Sequence, residues 1–230
     1  MKSEQGGLQT AMNVALRHLR AEDISQVVEI EREAFSPLWI GTPFKRELNN
    51  RYARYLVAYC QPEPCGVIQS ATPEEPRPAD ASLWDRVVRG VQGVVKREQE
   101  VARSDSYIIA GYVGIWFQGN EGHITEIAVR EKLRGNGIGE LLLIGSLRAA
   151  LEYGSSVVTL EARVSNFIAQ RLYEKYGFKS AGIRKGYYSD NREDAVIMTT
   201  SPIHSEEYRR RFQELQEAYL ARWREIYIEA

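Results

Sequence analysis

Cysteine and histidine are scarce in this chain of 230 residues: two cysteines, Cys60 and Cys65, and three histidines, His18, His123 and His204. The cysteines sit in CQPEPC with no histidine near them, so they do not complete the ligand set of a structural zinc site. They are expected as ordinary reduced thiols of a cytosolic protein, with a local disulfide as the alternative. The same scarcity argues against metal chemistry and against a Cys–His nucleophile. Charge of one sign is also missing. Lys plus Arg is 30 and Asp plus Glu is 31, so any nucleic-acid or membrane contact would need a local patch, and neither partner is expected. No apolar run approaches the roughly 20 residues of a membrane span. The first residues, MKSEQGGLQT, are polar and do not read as a signal peptide. What is present is a normal globular balance, 43% hydrophobic and 27% charged, at a length suited to one domain with appendages.

Organisation follows from pattern. Residues 1–12 read as a flexible leader. Val14–Leu19 reads as a first strand. Asp23 precedes ISQVVEIEREAF, whose apolar spacing predicts a helix with Asp23 as N-cap, and Pro37 stops it. Thr42-Pro43 opens a short helix to about Asn50, and Tyr55–Tyr59 reads as a strand. Five of the eight prolines then fall between Pro62 and Pro78, which denotes exposed loop. From Ser82 to about Arg103 an amphipathic pattern returns, weakened by Gly90 and Gly93. Residues 61–105 are read as an insertion carrying one helix. Strands follow at Tyr107–Phe117 and His123–Val129, joined by a Gly119-Asn120 turn. Next come a helix over Ile138–Tyr153, a strand at Val157–Glu161, and a helix over Asn166–Tyr176 ended by Gly177. Strands are read at Phe178–Arg184 and Ala195–Thr200. Residues 204–230 form a last helix with an apolar stripe from Tyr208 to Ile226, read as packing on the domain's own surface, with a dimer contact as the alternative.

The chemistry-bearing segment is a strand, then Arg134-Gly135-Asn136-Gly137-Ile138-Gly139, then a helix. Glycines there permit a tight turn and leave N–H groups free at a helix N-terminus, which suits a pyrophosphate. No Gly-Lys-Ser/Thr follows, so this is not a Walker loop, and the third glycine is misplaced for a dinucleotide fingerprint. The residues by themselves predict a phosphate-bearing ligand or a plain strand-to-helix turn.

The pattern Arg134-x-x-Gly137-x-Gly139 after ITEIAV resembles the acetyl-CoA loop of the GNAT N-acetyltransferase superfamily. Downstream, Leu160-Glu161-x-Arg163, Ser165-Asn166, Leu172-Tyr173-x-x-x-Gly177-Phe178, Tyr187-Tyr188 and Arg192-Glu193-Asp194-Ala195 resemble its RimI branch, which acetylates the N-terminal alanine of a small-subunit ribosomal protein. The likeness is strong over about 107–200, weaker over 14–60, and absent from 61–105 and from the tail after 203.

The resemblance implies an acetyl-CoA co-substrate and no metal. It places Arg134, Gly135, Asn136, Gly137, Ile138 and Gly139 on the pyrophosphate, and the backbone of Ile127, Ala128 and Val129, with Asn166, on the pantetheine arm. An α-amine has a free pKa of about 7.7–8.0, so a base must remove a proton as nitrogen attacks, and the leaving thiolate needs one back. Glu161 falls at the family's base position, with a structural ion pair to Arg163 or Arg192 as its competing role. Glu126, from which other branches recruit a base, ranks second, against a pair with a neighbouring Lys or Arg. Tyr173 falls at the position of the acid, against an aromatic core role. Asn166 is also a helix N-cap. Tyr187 and Tyr188 would line the peptide slot.

The expected fold is therefore α/β: a central, mostly antiparallel mixed sheet with helices on both faces, spanning 13–203. The expected function is acetylation of a protein N-terminal amine in the cytoplasm, most specifically alanine of the eighteenth small-subunit ribosomal protein. A broader Nα- or small-amine acetyltransferase and a non-catalytic acyl-CoA-binding module are the alternatives. The oligomeric state is left open.

Overall fold

The computed structural model describes residues 14–35, 40–60 and 107–223. The 1–12 leader, the 61–105 insertion with its expected helix and Cys65, and the tail past Trp223 lie outside the described residues. The chain divides into two compact units, residues 1–60 with 109–230, and residues 61–108. The second lies almost wholly outside the described residues, and the first carries the features below.

Seven strands form one sheet: β1 (Val14–His18), β2 (Ala53–Cys60), β3 (Ile108–Gln118), β4 (Glu121–Val129), β5 (Val157–Arg163), β6 (Phe178–Arg184) and β7 (Ala195–Thr200), in the order β1-β2-β3-β4-β5-β7-β6. The β1/β2, β3/β4, β5/β7 and β6/β7 pairs are antiparallel, and β4/β5 is parallel. The helices are α1 (Ile24–Ala34), α2 (Phe44–Glu47), α3 (Ile138–Tyr153), α4 (Phe167–Lys175) and α5 (Glu206–Trp223).

α3 is buried nearly all round, through Ile138, Leu141–Leu147 and Ala150, because the sheet covers one side and α5 the other. The α5 stripe is Tyr208, Phe212 and Tyr219, all buried. Tyr208 Oη donates to the Tyr176 carbonyl at 3.0 Å, and the Phe212 and Tyr176 rings meet with centroids 6.3 Å apart. The helix thus packs on its own domain, as its spacing predicts. A second apolar group gathers around Phe44, whose ring meets Tyr55 and Tyr112 edge-on, each at 5.6 Å.

Two local expectations need correction. Asp23 does not cap α1: a 3₁₀ turn over Ala21–Asp23 precedes the helix and puts Asp23 in helical geometry. Its carboxylate instead takes the Arg17 guanidinium at 2.6 and 2.9 Å and the Arg20 N–H at 2.7 Å, tying β1 to the start of α1. Both side chains are buried, so removing one partner would strand a charge and cost about 3–5 kcal/mol. The helix expected to reach Asn50 stops at Glu47, because Asn50 Oδ1 accepts the Tyr52 N–H and turns the chain into β2.

Two irregularities shape the middle of the sheet. On β4, Thr125 has no partner on β3: Gly114 faces Glu126 while Ile115 faces Ile124. This β-bulge reverses the alternation, so Ile124 joins the core on the α3 side while Glu126 turns toward Thr42 and Tyr55. The β4/β5 pairing, in turn, ends at Ile124 and Leu160, although β4 continues to Val129 and β5 to Arg163. The two strands therefore part in the middle of the sheet, leaving unpaired backbone edges on both.

Candidate active site

Glu161 is the first residue of β5 beyond its last pairing with β4. Strand alternation puts Val158, Leu160 and Ala162 into the α3-side core and Thr159, Glu161 and Arg163 on the other face. The Glu161 carboxylate is only 6% exposed and has two nitrogen neighbours: the Arg184 guanidinium Nη2 at 3.0 Å from one oxygen, and His123 Nε2 at 3.2 Å from the other. The ion pair expected with Arg163 or Arg192 is not formed. Arg163 reaches instead into the β6–β7 hairpin, to Asp190 at 2.8 Å and Glu193 at 3.0 Å.

His123 was not among the sequence-derived candidates. A lone histidine in a strand carries no signal of its own, and only the parallel register sets it opposite Thr159 and diagonal to Glu161. Its Nδ1 lies 2.9 Å from Thr159 Oγ1, and that hydroxyl donates to Glu121 Oε1 at 2.5 Å. Thr159 has one hydroxyl hydrogen, which it gives to Glu121, so His123 Nδ1 must be the donor to Thr159. Nε2 then meets Glu161 Oε2 at 3.2 Å, a contact between two acceptor atoms that requires a proton carried by one of them. Glu121, His123 and Arg184 also line a cleft of 650 Å³ with Tyr52 and Trp116.

Glu126 lies on the same face of the sheet but in different surroundings. It is 8% exposed, and Thr42 Oγ1 donates to it at 3.4 Å. Burial pushes its carboxyl up to about 7, Glu31 adding to the shift while the nearby hydroxyls of Thr125, Tyr55 and Thr42 oppose it. The Lys or Arg partner expected from the sequence is not there: among the described residues its neighbours are hydroxyls and a second carboxylate.

Tyr173 is half-buried on α4 with its ring 5.8 Å from that of Phe178. Burial pushes its phenol up to about 12, and Tyr188 adds to the shift. Asn166 caps the same helix, its Oδ1 accepting the Ala169 N–H at 3.2 Å, as expected. In the hairpin, Tyr187 and Tyr188 meet edge-on at 5.2 Å, and Arg163 lies over the Tyr188 ring at 3.9 Å. Burial raises Tyr188 to about 12, the Arg163 charge opposing and Tyr187 and Glu161 adding.

The glycine loop runs from Arg134 to the start of α3. Gly135 and Gly137 have φ of +81° and +76°, a left-handed geometry that glycine adopts without strain. The first bond into α3 is Leu141 N–H to the Gly137 carbonyl at 3.0 Å. Among the described residues, the N–H groups of Gly135 to Glu140 donate to no acceptor, so the loop is an open row of donors at the positive end of a sixteen-residue helix. A pyrophosphate fits that donor set. Asn136 folds back, its amide donating to the Leu133 and Arg134 carbonyls, and Arg134 is exposed with Nε on the Val129 carbonyl at 3.3 Å. Ile127, Ala128 and Val129 pair with Val113, Tyr112 and Gly111 on the β3 side, while the β5 side of this stretch is unpaired.

The sequence profile of the acetyltransferase (GNAT) family matches residues 24–178. The chain is 34% identical over 185 residues to a protein of Bacillus subtilis provisionally assigned as a ribosomal protein bS18-alanine N-acetyltransferase, covering 80% of this chain and 93% of the relative. It is 44% identical over 79 residues, 34% of this chain and 47% of the relative, to an N-alpha-acetyltransferase of Saccharolobus solfataricus. In fold it is similar to the crystal structure of the ribosomal-protein-S18-alanine N-acetyltransferase from Escherichia coli, with a TM-score of 0.56 at 22% identity over 84% of this chain and 95% of that one.

Proposed function

Since the chain belongs to the GNAT acetyltransferase family, we propose that it transfers acetyl from acetyl-CoA to the N-terminal α-amine of a protein in the cytoplasm, with the alanine of the eighteenth small-subunit ribosomal protein as acceptor. The observation that carries the substrate is the Bacillus subtilis relative, whose similarity spans nearly its whole length.

Acetyl-CoA supplies an acyl group activated as a thioester. The free N–H groups of Gly135 to Glu140 hold its pyrophosphate. The β5-facing edge of Ile127, Ala128 and Val129, unpaired where the strands part, takes the amides of the pantetheine arm, with Asn166 beside it. The acceptor amine approaches Glu161, past Tyr187 and Tyr188. Glu161 removes the proton that makes the amine non-nucleophilic, directly or through one water. His123 Nε2, 3.2 Å from the Glu161 carboxylate, shares a proton with it and opens a route toward the cleft that His123 lines. Tyr173, raised to about 12, keeps its proton at neutral pH and donates it to the departing sulfur.

One observation favours a second base. Glu126, at about 7, has the proton affinity that suits a base working near neutral pH. Its enclosure by Thr42, Tyr55 and Glu31, and its lack of a proton acceptor leading outward among the described residues, place it behind Glu161.

The test is consumption of acetyl-CoA across a panel of peptides that differ in their first residues. Turnover confined to the alanine-initiated ribosomal sequence supports the proposal. Equal turnover on serine-, threonine- and methionine-initiated peptides would replace it with a broader Nα-acetyltransferase, and binding without turnover would leave an acyl-CoA-binding module.

A further inference from the structure

The last turn of α5 rests on the glycine loop. A Cβ built on Gly137 would fall 2.5 Å from Trp223 Cε2 and 2.7 Å from its Nε1, so the indole lies directly against the Gly137 backbone. One turn earlier, Tyr219 Oη donates at 3.2 Å to the Gly137 carbonyl, the same oxygen that accepts the first bond of α3. The two rings neighbour each other at 6.5 Å. Upstream, Tyr208 and Phe212 fix α5 to Tyr176. Tyr176 Oη in turn donates at 2.7 Å to Glu140, in the first turn of α3. The loop is therefore held at one residue from two directions, by a helix that lies beyond residues 24–178, the stretch that the family profile matches.

We propose that Tyr219 and Trp223 are positioning residues for the acyl-CoA pyrophosphate: together they clasp Gly137 and hold the loop N–H groups converged before the cofactor arrives. A glycine-rich loop without such support samples many conformations, and ordering it on binding weakens affinity. The Tyr219 hydrogen bond fixes the Gly137 carbonyl pointing away from the ligand, which aims the following N–H groups at it. The Trp223 ring is the wall that prevents the loop from folding back. The clasp also explains why position 137 excludes any side chain even apart from its positive φ. Trp223 Nε1 is buried without a hydrogen-bond partner among the described residues, so the indole serves by shape and contact.

This inference rests on the assignment of the loop to the pyrophosphate, and the test separates the two. Calorimetry measures acetyl-CoA and S-acetyl-pantetheine, which lacks the pyrophosphate, on the full chain and on Trp223→Ala, Trp223→Phe and Tyr219→Phe. Trp223→Ala is expected to weaken acetyl-CoA binding about tenfold, to leave S-acetyl-pantetheine binding unchanged, and to raise the acetyl-CoA KM without lowering kcat. Trp223→Phe should recover most of the loss, and Tyr219→Phe should weaken acetyl-CoA alone. Thermal unfolding confirms that each variant is folded. Wild-type protein that binds both compounds equally would overturn the loop assignment. Wild-type preference for acetyl-CoA with Trp223→Ala and Tyr219→Phe unaffected, or a loss equal for the two compounds, would overturn the clasp.

Discussion

His123 Nε2 lies 3.2 Å from Glu161 Oε2, across the point where β4 and β5 stop pairing. The contact joins a carboxylate that is 6% exposed to a ring that is 35% exposed, and so to water. If Glu161 is the base, His123→Ala should reduce kcat by about tenfold and leave the KM for acetyl-CoA unchanged. Added imidazole should restore part of the rate. A variant with the wild-type rate and pH profile would remove His123 from the proton route.

Glu161→Gln is expected to lower turnover by about a hundredfold or more and to flatten the alkaline rise of the rate. Glu126→Gln should be mild by comparison. Steady-state rates of the two variants on the same peptide decide the matter, and the reverse order would make Glu126 the base.

Tyr173→Phe keeps the ring against Phe178 and deletes only the phenol hydroxyl. Its kcat is expected to fall by about a hundredfold, with acetyl-CoA affinity by calorimetry close to wild type. Equal losses in both would make Tyr173 a packing residue.

Glu126 predicts a pH effect on stability. In the fold it holds its proton to about pH 7, against 4.5 for an unperturbed carboxyl. Between these values the folded state binds more protons than the unfolded chain, so stability falls as pH rises through that window. Each unit corresponds to about 1.4 kcal/mol. Glu126→Gln should abolish that slope, matching wild type at low pH and exceeding it in denaturation midpoint at about pH 8. Parallel curves for the two proteins would show that Glu126 does not titrate in this range.

At Gly137 a side chain meets both a backbone constraint, φ of +76°, and the Trp223 ring. Gly137→Glu drives a side chain into the Trp223 ring and strains the left-handed turn, which disperses the loop N–H groups, and acetyl-CoA affinity is expected to drop about tenfold or more. Unchanged affinity in calorimetry would move the phosphate site elsewhere.

By itself, the sequence determined the elements and their chemistry. Helix α3 and strands β6 and β7 lie at the boundaries that periodicity sets, because apolar spacing follows directly from which face is buried. Asn166 is a cap, and the glycines of the loop take positive φ, because both depend on neighbours a few residues away. The tertiary structure alone decided what depends on distant pairing. The unpartnered Thr125, which turns Glu126 away from the α3-side core, and the early end of the β4/β5 ladder, which leaves the backbone edge at Glu161 without a β4 partner, arise from strand register, which no local pattern encodes. Arg184 rather than Arg163 pairs with Glu161, since the hairpin carboxylates Asp190 and Glu193 claim Arg163. His123 meets Thr159 and Glu161 only because a parallel strand sets them beside it. Trp223 met Gly137 across 86 residues of chain because α5 packs along the helix that the loop begins.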